Sequence, residues 1–131
     1  MSQGLNNKNS SLEVLEGDYW AVPDFNSHLV KKCHELRKVP LSEFSIEDFR
    51  LMISQQTGLK FLVPLVLDIL SGDFFAEGDF YEGDLLVAVL KIDLNFWILN
   101  NDLKEKLAVL IATNKSEIIE RGIDLKNFSE I

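Results

Sequence analysis

The stretch LKFLVPLVLDIL, residues 59–70, decides how this chain folds. Its apolar residues fall on every face, so a buried helix and a buried strand would both accommodate it. Pro64 settles the choice. Proline has no N–H to give to a ladder, which argues against a central strand. It is tolerated in the first turn of a helix, where that N–H would find no partner anyway. A helix starting near Leu62 is therefore predicted, with Leu65, Val66, Ile69 and Leu70 in the core and Gly72 as its end.

Just upstream lies the clearest helix start. Ser45 precedes Asp48 by three residues, a near-match to the capping box with Asp in place of the usual Glu. Phe44 and Phe49 are spaced for a hydrophobic staple, and Phe49, Met52, Ile53 and Gln56 share a face, which predicts a helix over 45–57 ended by Gly58. Before it, Asn26 or Ser27 is expected to cap a helix running to about Lys38, with Leu29, Cys33 and Leu36 along one face and Pro40 as its stop. Residues 12–20 are ambiguous. Leu12, Leu15 and Tyr19 keep helical spacing, Gly17 and Asp18 interrupt it, and Pro23 closes the segment, so helix, strand and irregular strap all stay open. Residues 1–10 read as a disordered polar tail and 11–131 as a single domain.

Downstream, Gly-Asp at 72–73 and 78–79 and Gly83 are turn signals, after which Asp84 is expected to cap a short helix ending near Ile92. Asn101 is placed to cap a long helix carrying Leu103, Leu107, Leu110 and Ile111, and a break at 114–116 precedes a last helix over 116–121, ended by Gly122. No repeat and no Asn-Gly hairpin signal is present. The predicted architecture is all-α, a single compact bundle of five to seven helices.

The 131 residues suit one domain. With 47% hydrophobic and 26% charged residues the balance is that of a soluble globular protein. Acids outnumber bases 21 to 13, a net charge of −8 with a pI near 4.7. That balance argues against direct binding of nucleic acid, which needs Lys and Arg to neutralise phosphates, and against an anionic membrane surface. No apolar run is long enough to span a bilayer, and the polar start lacks the apolar core of a secretion signal. The lone Cys33 can form no internal disulfide, and a cytoplasmic location is expected.

The charge is uneven. Residues 61–100 hold seven acids and only Lys91, and Asp68, Asp73, Glu77, Asp79, Glu82 and Asp84 fall in a span without Lys or Arg. Such crowding destabilises the fold unless something of opposite charge binds there. A calcium loop begun at Asp73 would place Gly78 sixth as required, but Phe75 occupies the third ligand position and Asp84 the twelfth, so the frame fails. Two readings remain: a solvated face with a helix cap, and a docking surface for a basic protein. Phe74, Phe75, Phe80 and Tyr81 interleave with the acids, which is more aromatic area than a solvating loop needs; at least two rings are expected in the core and one outside. Catalytic groupings are poor. Cys33 and His34 are adjacent on a helix and diverge, and two histidines without a ligand frame build no metal site. No enzyme activity, metal or cofactor is expected.

LEGDYW (15–20), the segment from Leu29 to Leu70, and EGDFYEGDLLVAVL (77–90) resemble bacterial immunity proteins of contact-dependent growth inhibition systems. The likeness rests on a set of pieces in order: Pro-Leu with an acid and Phe, Glu-Asp-x-Arg, Gln-Gln, Val-Pro-Leu and Gly-Asp-Leu-Leu. It covers about residues 12–97. The resemblance implies that the chain binds the C-terminal toxin domain of a matching exoprotein in the cytosol and blocks it. Such toxins are commonly nucleases, often acting on transfer RNA, and the basic groove they need would face the acidic segment. Because immunity is specific to one toxin, Glu47, Asp48, Arg50, Gln55, Gly83 and Asp84, in the shared pieces, are expected to serve internal hydrogen bonds and caps, including an Arg50–carboxylate pair inside the bundle. Toxin contact is expected at Asp68, Asp73, Phe74, Phe75 and Glu82, with Glu77 and Asp79 beside them. An acidic adaptor or regulatory subunit holding some other basic protein is the alternative.

Overall fold

The run 59–70 lies within one helix in the computed structural model, which describes residues 8–21, 27–125 and 128. Eight α-helices follow in order among the described residues: α1 Leu12–Glu16, α2 His28–Leu36, α3 Ile46–Ser54, α4 Leu59–Gly72, α5 Asp84–Leu90, α6 Leu94–Leu99, α7 Asn101–Thr113 and α8 Lys115–Glu120. Five of them have seven residues or more, and no strand is present among the described residues. The all-α expectation holds. The count exceeds the expected five to seven because the ambiguous start and the Phe96–Trp97 segment each form a one-turn helix, α1 and α6.

Helix α4 begins earlier than the sequence predicts. Gly58 adopts φ 67°, a left-handed conformation open to glycine, and serves as its N-cap. Leu59 is thus the first helical residue and Pro64 lies inside the helix rather than in its first turn. A proline there forfeits one helical hydrogen bond and costs roughly 3 kcal/mol. Leu62, Val63, Leu65, Val66, Leu67 and Leu70 are buried on the same helix. At roughly 1.5–3 kcal/mol for each fully buried side chain, burial outweighs the proline.

Around α4 the packing is simple. It lies against α3 and α7; α5 packs on α3, α2 joins α3, and α6 and α8 flank α7. The predicted capping box is present: Ser45 Oγ accepts from the Asp48 N–H at 3.1 Å and Asp48 Oδ2 from the Ser45 N–H at 3.0 Å. Phe44 and Phe49 form the staple with ring centroids 5.1 Å apart. Ser27 is the N-cap of α2, its Oγ accepting from the Val30 N–H; Asn26 and Pro23 lie outside the described residues, as do residues 1–7 of the tail predicted over 1–10. The carbonyls of Lys8 and Ser10 accept from the Ser42 and Leu41 N–H groups. Asn100, not Asn101, stands at the cap position of α7, and Asn101 is its first helical residue. Beyond α1, residues 17–21 are irregular and are tied to α2 by Arg37, which is buried. Its guanidinium pairs with Glu16, donates to the Asp18 carbonyl at 2.7 Å and lies 4.1 Å from the centre of the Trp20 ring.

Candidate functional site

The acidic segment leaves α4 at Asp73 and turns at once into the core. Phe74, Phe75 and Ala76 are buried, the two rings edge to face at 5.0 Å. An isolated bridge between Glu77 and Glu82 then closes a tight loop. Inside it, four successive backbone N–H groups point at two carboxylates. Gly78 donates to Asp84 Oδ1 at 2.7 Å and Asp79 to Glu47 Oε1 at 2.9 Å. Phe80 and Tyr81 donate to Asp84 Oδ2 at 3.0 and 3.4 Å.

Asp84 therefore does not cap its own helix. Gly83 holds the N-cap position, while Asp84 is the first residue of α5 and turns its buried carboxylate back on the loop. The sequence suggested a cap because an acid before an apolar run serves that purpose. Here three loop N–H groups, those of Gly78, Phe80 and Tyr81, offer Asp84 a denser set of donors. Gly78 is required by the same crowding: a Cβ on it would lie 2.6 Å from Glu47 Oε1 and 3.1 Å from Asp84 Oδ2.

Glu47 is fixed from its other side by Arg50, whose Nε and Nη2 donate to Oε1 and Oε2 at 2.7 and 2.6 Å. The hydrogen bonds from Arg50 hold the Glu47 carboxyl below its ordinary value, and the Asp79 N–H adds to this against the opposing effect of burial. This is the Arg50–carboxylate pair foreseen from sequence. It sits at the edge of the bundle, with one-fifth of the Glu47 side chain exposed, and not in its interior. The Arg50 guanidinium also lies 4.4 Å from the centre of the Phe80 ring. One carboxylate and one arginine of α3 thus brace both the backbone and an aromatic side chain of the loop.

Charge compensation also comes from the far end of the chain. Arg121, just past α8, pairs with Glu82 at 2.7 Å and with Glu117 at 3.8 Å, and lies 3.8 Å from the centre of the Phe75 ring. The repulsion expected in the segment is thus relieved in part by the molecule itself, through Arg50 and Arg121. No local pattern in the sequence could reveal an arginine acting across 39 residues.

Of the residues singled out from sequence, Asp68, Asp73, Glu77, Asp79 and Glu82 are exposed; Asp68 stands apart on α4 and the other four flank or form the loop. Phe74 and Phe75 are only 7% and 8% exposed. The outward aromatic surface of the segment is that of Phe80 and Tyr81, at 68% and 52%. Two rings are inside and two outside, where the sequence predicted at least two and one. A usable signal was available: Phe74, Phe75 and Ala76 form an uninterrupted apolar run, whereas Phe80 and Tyr81 fall between the turn at Gly78-Asp79 and Glu82.

A family model of CDI immunity proteins matches residues 14–107, which include the whole loop and both carboxylates that hold it. The chain belongs to that family. It is an immunity protein against the toxin of a contact-dependent growth inhibition system, as the resemblance implied, and its partner is the cognate toxin. No curated protein and no solved structure matches it. Arg121 lies outside the matched span, so the immunity protein's own C-terminal segment completes the support of a loop that the family match contains. No helix among the described residues is long and apolar enough to cross a membrane.

Proposed function

We propose that this immunity protein neutralises its toxin without catalysis, by stoichiometric occlusion, and that the loop over 77–82 with Asp73 and Asp68 forms the contact. The observation carrying this reading is the seating of four loop N–H groups on Glu47 and Asp84, which presents Glu77, Asp79, Phe80 and Tyr81 outward on a preset frame. A contact surface ordered before binding loses less entropy on association. Exposed carboxylates accelerate capture of a basic partner, and aromatic rings supply the anchors that hold it. Phe74 and Phe75 serve from beneath, as the apolar footing of the loop. The toxin is a basic nuclease in this reading, with transfer RNA as the expected substrate class, because a phosphate-binding groove is the surface an acidic inhibitor complements. Toxin and inhibitor meet in the cytoplasm.

The test is reversal of the two loop-flanking acids that form no ion pair within the described residues, Asp73→Lys with Glu77→Lys. Toxin affinity at low salt should weaken about tenfold or more, mostly through a slower association rate. Unchanged affinity and rate would overturn the loop as the contact.

A further inference from the structure

A loop of this size offers few contact residues, whereas a stable protein interface uses roughly 20–30 on each side. A second surface begins at Asp68 on α4, five residues before Asp73 in the chain. Between α4 and α7 runs a groove of about 470 Å³ with Leu67 and Leu110 in its floor and Val109, 65% exposed, on its wall. Its rim carries Asp68, Asp102 and Glu105, none of which forms an ion pair among the described residues, against a single cation, Lys106. The buried polar side chains among the described residues are Ser11, Arg37 and Asp84, and none of them lines this groove. It therefore has no recessed polar group to orient a small ligand, as such sites ordinarily do. Two helix faces with an apolar floor and charged edges suit an amphipathic helix laid between them.

We infer that the α4–α7 groove is a second docking surface for the toxin domain, receiving an amphipathic segment with apolar side chains on Leu67, Val109 and Leu110 and Lys or Arg against Asp68, Asp102 and Glu105. The inference rests on the reading of the chain as an occluding inhibitor and extends its interface. Asp68 joins the two surfaces, since it lines the groove and lies five residues before Asp73 on the same stretch of chain. Charge complementarity gives the sign of the partner: an acidic segment would be repelled from three carboxylates that form no ion pair among the described residues.

The experiment measures the dissociation constant of the full chain for the toxin domain encoded with it, alongside the mass of the free chain in solution. Two variants are used, Val109→Arg and Lys106→Glu, both at exposed positions. Val109→Arg should weaken binding about tenfold or more with an unchanged melting temperature, as loss of an interface anchor does. Lys106→Glu should tighten it severalfold at low salt and lose that gain at high salt. The second effect cannot come from unfolding, so it decides the matter if Val109→Arg proves unstable. Should the wild-type chain bind while both variants match it, the groove is overturned and the loop stands. If Asp73→Lys with Glu77→Lys is silent while the groove variants act, the loop falls and the groove stands. A wild-type chain that does not bind the toxin overturns both. A free chain that is dimeric and becomes monomeric in Val109→Arg, with toxin affinity unchanged, assigns the groove to a second copy and overturns the inference.

Discussion

Gly78 shows how much of this surface depends on the absence of one methyl group. With a Cβ at 2.6 Å from Glu47 Oε1, Gly78→Ala must push the carboxylate off the Asp79 N–H or displace the loop from Asp84. Losing a hydrogen bond to a charged acceptor costs about 1.5–3 kcal/mol, and the variant should lose stability on that order in chemical denaturation. Glu47 adds a dependence on pH. Its folded pKa lies below the ordinary value, so its contribution is complete above the unfolded carboxylate value of about 4.3 and is lost as pH falls through the folded value. Glu47→Gln should therefore melt lower than wild type at pH 7 and lose less on acidification through that window. Parallel melting curves for the two proteins from pH 7 to pH 3 would contradict the assignment. Glu47 and Asp48 were legible as members of a helix start, and Asp48 does close the capping box. That Glu47 serves a loop 32 residues away was not legible, because the contact is made only when α3 and α5 pack.

Helix α4 is where pattern and proline compete. The apolar run correctly indicated a buried element and Pro64 correctly excluded a ladder strand, yet the helix starts three residues before the position that would best suit the proline. The reason is Gly58. Its left-handed conformation ends the segment after α3 and opens α4 at once, and the six buried side chains outweigh the missing bond. It follows that Pro64→Ala should stabilise the protein by roughly 1 kcal/mol, the regained helix propensity less the lost ring burial. A drop in denaturation midpoint would mean that the pyrrolidine ring packs better than its half-buried state suggests. The starts of α2 and α3, with their serine caps, were legible to the residue, whereas α3 ends at Ser54 and not at 57, and Gln56, with φ 53°, lies outside it. The one-turn helices α1 and α6 were not legible. Segments so short have little intrinsic stability, and their form is set by neighbours such as Arg37, which ties down the chain after α1, and the Trp97 core.

At the scale of the whole molecule, an acidic chain spends two arginines, Arg50 and Arg121, on holding its most acidic loop in place. The acidic stretch over 61–100 was legible from sequence, and the proposed basic character of the partner rests on it. The split of the aromatic residues into a buried pair and an exposed pair was marked in sequence only by the Gly78-Asp79 turn between them, and the Glu77–Glu82 bridge makes it visible. Membership in the immunity-protein family fixes what the molecule is for, and the acid-and-aromatic loop is how we account for its doing so. The most direct measurement is a titration of the purified chain with the toxin domain encoded beside it, repeated from low to high salt. A tight one-to-one complex whose affinity falls as salt rises is the predicted result. Absence of binding, or tight binding indifferent to salt, would contradict an interface built on these carboxylates.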